Sequence, residues 1–292
     1  MISRVGAALT DGTRRLRIAG SPSARLDAEV LLAHVTGHDR SWVLAHPDAA
    51  LDEGRAFEVA LERRTAGEPI AYIRGFKEWQ SLRIRTDPRA LIPRPETELL
   101  AEAAMAEIAT RLARNDEPIS VWEVATGSGA VAVALALRFR SALTLGRLVL
   151  VASDVSPEAL ELAAENLAAH EASSLVTLSC ADLLETAGGT LARPDVVVAN
   201  LPYVASAEVD GRQGSLGYEP RLALDGGPDG LALLRRLLAD LPAQTAEGAT
   251  VLLEIGGGQV DAITALAPAG ASVSVIADLA RLDRVVRLAM PC

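Results

Sequence analysis

The stretch ISVWEVATGSGAVAVALALR, residues 119–138, decides the fold. It opens with an apolar run at 119–124, turns through the closely spaced Gly127 and Gly129, and continues in an alanine- and valine-rich helical pattern. A strand, a glycine turn and a helix in this order let the backbone approach a ligand closely beneath the N-terminus of the helix. The stretch therefore predicts a ligand-binding turn in an α/β domain.

Strand and helix patterns alternate from this stretch toward the C-terminus. The apolar segments LVLVASD, VTLSCAD, PDVVVAN, ATVLLEI and ASVSVIAD are separated by helical patterns. The clearest helix covers 157–170, with Ser156 as its N-cap and Pro157 in its first position. Near-continuous apolar strands are typical of a sheet that helices cover on both faces. We predict a doubly wound, mostly parallel, Rossmann-like α/β domain, with Cys180 as a core thiol on one of its strands.

The N-terminal part has a different pattern. Residues 1–70 carry amphipathic helical runs and no strand pattern, which predicts a small all-α domain. Residues 71–95 alternate and contain three prolines, which indicates a hairpin or an extended linker. The α/β domain is expected to cover 96–292.

Composition narrows the classes of function. Half of the 292 residues are apolar and 23% are charged, which excludes a disordered or fibrous chain. The net charge of −10 disfavours nucleic acid as a direct partner. Cys180 and Cys292 form no recognisable disulfide framework, which favours a reducing cytoplasm. The N-terminus lacks a signal-peptide pattern, and the apolar stretch GSGAVAVALAL is far shorter than the ~20 residues of a membrane span. We therefore expect a cytoplasmic protein with no membrane partner.

A nucleoside site is indicated by the glycine turn together with Asp154. This carboxylate ends the second strand, where it can accept hydrogen bonds from both ribose hydroxyls of an adenosine-type cofactor. Gly127, Gly129 and Ala132 also satisfy G-x-G-x-x-A, so a nicotinamide cofactor stays open at this point, as does a tight turn without a ligand.

The tetrapeptide Asn200-Leu201-Pro202-Tyr203 directly follows the apolar strand DVVVA. A planar NH₂-bearing group is a poor nucleophile because its lone pair is delocalised, so its methylation depends on positioning. The Asn200 side-chain oxygen and the main-chain carbonyl near Pro202 can accept its two N–H bonds, and Tyr203 can stack on its plane. The alternative is an ordinary Asn-Pro turn after a strand.

The sequence predicts no metal site. His34 and His38 are four residues apart on an expected helix and could share a face, but no third ligand is evident in that part of the chain.

The chain resembles the release-factor glutamine methyltransferases, the HemK-like (PrmC) enzymes. The resemblance rests on GEPIAYIRGFKEW (67–79), LIPRPETELL (91–100), EVATGSGAVAVALA (123–136), ANLPYV (199–204), YEPRLALDGGPDGL (218–231), LEIGGGQ (253–259) and ADLARLDRVV (277–286). It implies a helical N-terminal domain that recognises the substrate, a hairpin connector and a class I methyltransferase domain that uses S-adenosyl-L-methionine. The implied product is N5-methylglutamine in the Gly-Gly-Gln loop of class I peptide chain release factors.

The resemblance also implies roles for individual residues. The cofactor-binding residues would be Glu123, Ala125, Thr126, Gly127, Ser128, Gly129, Asp154, Asp182, Leu183 and Asn200. The substrate-binding residues would be Asn200, Leu201, Pro202 and Tyr203, of which Asn200, Pro202 and Tyr203 are expected to be catalytic. Within this set, the turn would hold the methionine part of the cofactor, Asp154 its ribose, and Asp182 with Leu183 its adenine. Arg94, Pro95 and Glu96 match a family segment without an assigned role.

Three departures from the family pattern keep alternatives open. Ala125 replaces the first glycine of the turn, Leu183 stands where relatives often have an aromatic residue, and Leu201 replaces the first proline of Asn-Pro-Pro-Tyr. Asn-Leu-Pro-Tyr is also the form in the adenine dimethylases of ribosomal RNA, so a nucleic-acid amino-methyltransferase is one alternative. A ribosomal-protein glutamine methyltransferase, a nicotinamide oxidoreductase and an inactive cofactor-binding module are the others. The net charge and the flanking segments favour a protein glutamine.

Overall fold

Two structural units make up the chain. The computed structural model describes residues 4–114, 117–185, 192–212 and 214–291, so Cys292 lies outside the described residues. The first unit contains the chain up to Phe76 together with the 212–218 segment, and the second contains the remainder. The predicted division at residues 70 and 95 stays a prediction, but it did not anticipate that a late segment belongs to the first unit.

The first unit is a helical bundle. Its helices are α1 (Val5–Ile18), α2 (Ala24–Thr36), α3 (Arg40–Ala45), α4 (Gly54–Thr65) and α5 (Ile70–Arg74). Fully buried leucines on α1, α2 and α4 pack around Phe57. Gly12 makes this packing possible, because a Cβ at this position would lie 2.9 Å from the Phe57 ring.

Residues 214–218 are fixed to the end of α4 by hydrogen bonds of Ser215 and Tyr218. The Ser215 hydroxyl accepts a hydrogen bond of 2.9 Å from Arg64 and donates one of 3.0 Å to the Gly67 carbonyl. The Tyr218 hydroxyl donates to the Ala66 carbonyl at 3.0 Å. Arg64 is itself held by a 2.8 Å ion pair with the buried Asp27, so the segment has a firm anchor.

The expected pairing of His34 and His38 on one helix is wrong. Helix α2 ends at Thr36, and Gly37 turns the chain away in the left-handed conformation. His38 instead stacks on Trp42, with ring centroids 3.8 Å apart. No group of three histidine, cysteine or acidic residues that could hold a metal ion occurs among the described residues.

A hairpin and a long helix precede the central sheet. Strands β1 (Phe76–Trp79) and β2 (Leu82–Arg85) are joined through Gln80 and Ser81, both with positive φ, and α6 (Thr97–Arg114) follows.

In the described part of the chain, seven strands form the central sheet in the order β5-β4-β3-β6-β7-β9-β8. They are β3 (Ile119–Val124), β4 (Leu148–Asp154), β5 (Thr177–Cys180), β6 (Val196–Ala199), β7 (Thr250–Glu254), β8 (Ser272–Ala277) and β9 (Asp283–Ala289). The first five strands in this order run parallel to one another, and β9 is antiparallel to both β7 and β8. The remaining helices are α7 (Ala130–Arg138), α8 (Arg140–Thr144), α9 (Pro157–Ala169), α10 (Ser206–Asp210), α11 (Ala232–Gln244) and α12 (Val260–Leu266).

Alternate residues of the central strands enter two separate hydrophobic cores. Val196 and Val198 belong to the core that contains α6 and α7, whereas Val197 and Ala199 belong to the core that contains α11. Both faces of the sheet are therefore covered, which explains the near-continuous apolar strands. The predicted doubly wound α/β fold with a small all-α N-terminal domain is confirmed.

The expected burial of Cys180 is wrong. Its strand, β5, has four residues and lies at the edge of the sheet, so the thiol is exposed. As for membrane insertion, none of the described helices combines the length and the apolar composition of a bilayer span.

Candidate functional site

A cavity of about 280 Å³ lies at the carboxyl ends of the neighbouring strands β4, β3 and β6. This is near the lower end of the range for small-molecule sites, about 300–1,000 Å³. The structure brings most of the predicted site residues onto its wall: Glu123, Ala125, Thr126, Gly127, Ser128, Asp154, Asp182, Leu183, Asn200, Leu201 and Pro202. Gly129 and Tyr203 do not line the cavity.

The turn between β3 and α7 forms the floor of the cavity through its own hydrogen bonds. Gly127 N donates to Asp154 Oδ2 at 2.9 Å, and Gly129 N donates to the Thr126 carbonyl at 2.9 Å. Both glycines have positive φ. A Cβ on Gly129 would lie 2.9 Å from Ala163 Cβ, so only glycine fits there. The absence of a side chain at Gly129 thus allows the turn to pack directly against α9.

Asn166 on α9 holds this turn in place. Its side chain is fully buried and donates to the Ser128 carbonyl at 2.8 Å. The same carboxamide accepts from Arg85 N at 2.7 Å and donates to the Arg85 carbonyl at 3.1 Å. Asn166 was not among the predicted site residues, although a polar side chain on the apolar face of a helix is a readable signal.

The two carboxylate oxygens of Asp154 accept hydrogen bonds from two different parts of the backbone. Its Oδ1 accepts from Ser156 N at 2.9 Å, while its Oδ2 accepts from Gly127 N. Ser156 is the N-cap of α9, as expected, since its hydroxyl accepts from Ala159 N. Each carboxylate oxygen keeps a further lone pair for a ligand hydroxyl. Burial is the main reason that the pKa of Asp154 lies above its usual value.

Glu123 places a second buried carboxyl group at the cavity. Only 4% of the residue is exposed, and its Oε2 has no hydrogen-bond partner among the described residues. Burial, together with the nearby Asp154, raises the pKa of Glu123 to about 8. A buried acid without a cationic partner favours a ligand that brings a positive charge.

This arrangement does not suit the nicotinamide alternative. A dinucleotide pyrophosphate requires free backbone N–H groups at the glycine turn. Here Gly127 N and Gly129 N already donate within the protein, and the acids Glu123 and Asp154 line the same cavity. The turn therefore favours a cationic nucleoside over an anionic one.

The far part of the cavity contains the predicted adenine-flanking residues. Leu183 is buried with a positive φ of 55°, an uncommon conformation for a residue with a Cβ. Asp182 forms a 2.8 Å ion pair with Arg236 of α11, and both side chains are nearly half exposed. Leu183 thus gives the cavity an aliphatic side chain where the family often has an aromatic one.

Asn200 follows β6 directly and is half-buried at the cavity. Its Nδ2 donates to Thr97 Oγ1 at 3.2 Å, at the start of α6. The neighbouring Leu201 is 3% exposed and packs in the core on the α11 side of the sheet. At the position where the family pattern has its first proline, this chain therefore has a buried leucine.

Tyr203 is fixed by a loop on its other side. Its ring packs so closely on Gly256 that a Cβ there would lie 3.0 Å from Tyr203 Cδ2. The Gln259 side chain donates to the carbonyls of Tyr203 (3.4 Å) and Gly230 (3.3 Å) and accepts from Gly256 N (2.9 Å). Burial raises the pKa of the Tyr203 phenol, so the ring stays neutral. Tyr203 is thus tied by these contacts to the loops that contain Gly230 and Gly256.

A buried acid also anchors one wall of the cavity. Glu219, 3% exposed, pairs with Arg94 at 2.6 Å and accepts from Ile92 N at 3.1 Å. Arg94 lines the cavity, as does Pro220 next to Glu219. Glu219 was not among the predicted site residues, although its segment (218–231) and that of Arg94 (91–100) both match the family pattern.

Among the described residues, a mostly parallel sheet of seven strands with a cavity at the carboxyl ends of its strands is the arrangement of a class I methyltransferase domain. Residues 7–75 match the family model described as the PrmC N-terminal domain. Release factor glutamine methyltransferases are similar over almost the full length: the Moorella thermoacetica protein is 38% identical, covering 95% of both chains, and the Deinococcus radiodurans protein is 37% identical, covering 96% of both. The chain belongs to the release factor glutamine methyltransferase family.

A solved structure supports the fold alone. The catalytic domain of hMettl16, in a complex with the MAT2A 3′UTR hairpin 6, is 12% identical with a TM-score of 0.52. The match covers 83% of this chain and 84% of that one.

Proposed function

We propose that this protein transfers a methyl group from S-adenosyl-L-methionine to the side-chain amide nitrogen of the glutamine in the Gly-Gly-Gln motif of class I peptide chain release factors, in the cytoplasm. The observation that carries the proposal is the Asn200 carboxamide. With Nδ2 turned toward Thr97, its Oδ1 is left to accept an N–H from a planar substrate amide at the cavity.

The cavity fits the cofactor by its chemistry. S-adenosyl-L-methionine carries a ribose with two hydroxyls, an ammonium group and a sulfonium, and when bound it supplies an electrophilic methyl carbon. Asp154 would accept from the ribose hydroxyls, since each of its oxygens keeps a free lone pair. Glu123, whose Oε2 is buried without a partner among the described residues, would stabilise the positive charge of the ligand. Asp182 and Leu183 would flank the adenine.

The protein contributes to the reaction mainly by positioning. The glutamine nitrogen is a poor nucleophile, so Asn200 Oδ1 and the main-chain carbonyl near Pro202 would hold its two N–H bonds while Tyr203 shields the amide plane. The bound cofactor would supply the methyl carbon to this nitrogen, and the electron pair of the broken carbon–sulfur bond would remain on sulfur. The nitrogen loses one proton to solvent once it is alkylated, so no side chain acts as a strong base beforehand.

Methyl transfer to alternative acceptors tests the proposal. The protein is incubated with tritium-labelled S-adenosyl-L-methionine and, in separate reactions, a class I release factor, a ribosomal protein fraction, RNA or DNA. We expect label on the release factor, and none on a release factor whose Gly-Gly-Gln glutamine is replaced. Label only on nucleic acid or only on ribosomal proteins would contradict the proposal.

A further inference from the structure

Glu254 is a buried carboxyl group that the reaction described above does not use. It ends β7, and only 2% of the residue is exposed. Its Oε2 has no hydrogen-bond partner among the described residues. Burying a carboxyl oxygen without a hydrogen-bond partner costs free energy of folding, so such a group in a native structure requires an explanation.

The sheet register places Glu254 beside Asn200. Strands β6 and β7 are parallel, with Ala199 opposite Leu253, so the next residues along the two strands are neighbours. The Thr97 hydroxyl and the Asn200 carboxamide both face the Glu254 carboxyl group closely enough to favour its ionised form. Glu254 of β7, Thr97 of α6 and Asn200, which follows β6, thus form one polar cluster.

Their donor and acceptor properties fix the orientation of Asn200. An ionised carboxyl group accepts hydrogen bonds and donates none. Thr97 Oγ1 accepts from Asn200 Nδ2 at 3.2 Å, which leaves the Thr97 proton free to point toward the neighbouring carboxylate, the influence that acts to lower the pKa of Glu254. Both neighbours therefore require the NH₂ end of the carboxamide, and the oxygen end must face the other way.

We propose that Glu254 is a positioning residue for methyl transfer: with Thr97 it holds the Nδ2 end of Asn200 inward and so presents Oδ1 to the substrate carboxamide. The inference rests on the proposed function. Without Glu254 the Asn200 side chain can rotate by half a turn, which presents an NH₂ group to the NH₂ group of the substrate. Two donors then face each other and the substrate nitrogen loses its alignment.

The charged surroundings of Glu254 make this role pH-dependent. Glu96 acts to raise its pKa and Arg284 of β9 to lower it, and the neutral Tyr203 phenol is a further neighbour. Burial is the dominant cause and raises the pKa of Glu254 to about 7. Below this pH the protonated group can itself donate, and the orientation of Asn200 is no longer fixed.

The test compares steady-state methylation of the release factor by the wild-type protein and by Glu254→Gln, with both substrates saturating. We expect kcat of Glu254→Gln to fall about 10–100-fold, as for a slightly misplaced reacting group. Its affinity for S-adenosylhomocysteine should stay within a few-fold of wild type, and its Tm should not fall. The wild-type kcat should rise as the pH increases through about 7, and this limb should be absent in the variant.

Two further variants separate positioning from folding. Thr97→Val removes the hydroxyl between Glu254 and Asn200 and should lower kcat, whereas Thr97→Ser retains it and should restore most of the activity. Glu107→Gln is a matched control, because Glu107 joins α6 to the opposite end of β7 through Thr250, at 2.9 Å, and pairs with Arg111 and Arg287. It should lower Tm and leave kcat unchanged.

The outcomes distinguish the two proposals. Wild-type kcat in Glu254→Gln, or an unchanged pH profile, overturns the positioning role and leaves the proposed function intact. If Glu254→Gln does not fold, wild-type kcat in Thr97→Val overturns it instead. A wild-type protein that never methylates the release factor overturns the proposed function and, with it, this inference.

Discussion

Gly127 N donates a 2.9 Å hydrogen bond to Asp154 Oδ2, so the glycine turn and the carboxylate that ends the next strand are one structural element. The other oxygen of Asp154 accepts from Ser156 N. A carboxylate can accept from both amides at once, whereas an asparagine offers one acceptor and places an NH₂ group against the other amide. The two backbone hydrogen bonds therefore require an acid at this position, and we propose that the same carboxylate binds the ribose of the cofactor.

Asp154→Asn should accordingly weaken cofactor binding and lower stability together. We expect the affinity for S-adenosyl-L-methionine, measured by isothermal titration calorimetry, to fall roughly 10–100-fold, or about 1.4–2.7 kcal/mol. Asp261→Asn on α12 serves as the control and should bind normally, because Asp261 is exposed and does not line the cavity. Unchanged affinity in Asp154→Asn would remove this residue from the binding site.

Gly129→Ala should be much more destabilising than Gly146→Ala. Both glycines have similar positive φ values, 76° and 69°, so the backbone strain of an added Cβ, about 1 kcal/mol, is common to both. The Cβ meets Ala163 at 2.9 Å only at residue 129, and nothing lies within 4 Å at 146. Overpacking should add roughly 1–3 kcal/mol, measured by urea denaturation. Equal losses in the two variants would mean that the turn can shift away from α9.

Ala125→Gly should stabilise the protein. Ala125 has a φ of 57°, a conformation that glycine adopts without steric strain. The relief of strain, about 1–2 kcal/mol, is partly offset by the greater freedom of glycine in the unfolded chain. We expect a net gain below about 1 kcal/mol in urea denaturation, with no loss of cofactor affinity. A clear loss of stability would show that the alanine methyl group packs usefully.

The stability of the cofactor-free protein should fall as the pH rises through neutrality. The pKa values of Glu123 and Glu254 are raised from 4.5 to about 8 and about 7, respectively, because both groups are buried. The folded state keeps these protons where the unfolded chain has lost them, so their contribution is complete below about pH 4.5 and is lost as the pH passes 7 and then 8. Tm measured from about pH 5 to about pH 9 should decrease, and Glu123→Gln should flatten its upper part. A constant Tm across neutrality in the wild-type protein would contradict the raised pKa values.

The central sheet can be predicted well from the sequence because the patterns that indicate its strands, turn and helix cap are local. Apolar strands, the glycine turn and the Ser156 cap each depend on a few consecutive residues, and the structure has all three. Cys180 shows the limit of such signals, since an apolar neighbourhood in the sequence does not reveal that β5 is an edge strand.

The polar framework of the candidate site could not be predicted in the same way. Asn166, Glu219 and Glu254 act on residues that are far away in the chain, for instance through the Arg94–Glu219 pair. Their partners become visible only when the fold brings them together. The sequence predicted part of the cavity lining, and the structure adds further lining residues and the side chains that orient them.

The most direct test of the central claim maps the methyl group on the acceptor by mass spectrometry. An unmethylated class I release factor is incubated with S-adenosyl-L-methionine and either the wild-type protein or Asn200→Ala. We expect a single methyl group on the glutamine of the Gly-Gly-Gln motif with the wild-type protein, and none with a variant that still binds the cofactor within a few-fold. A methyl group elsewhere, or undiminished transfer by Asn200→Ala, would contradict the claim that Asn200 holds the substrate amide.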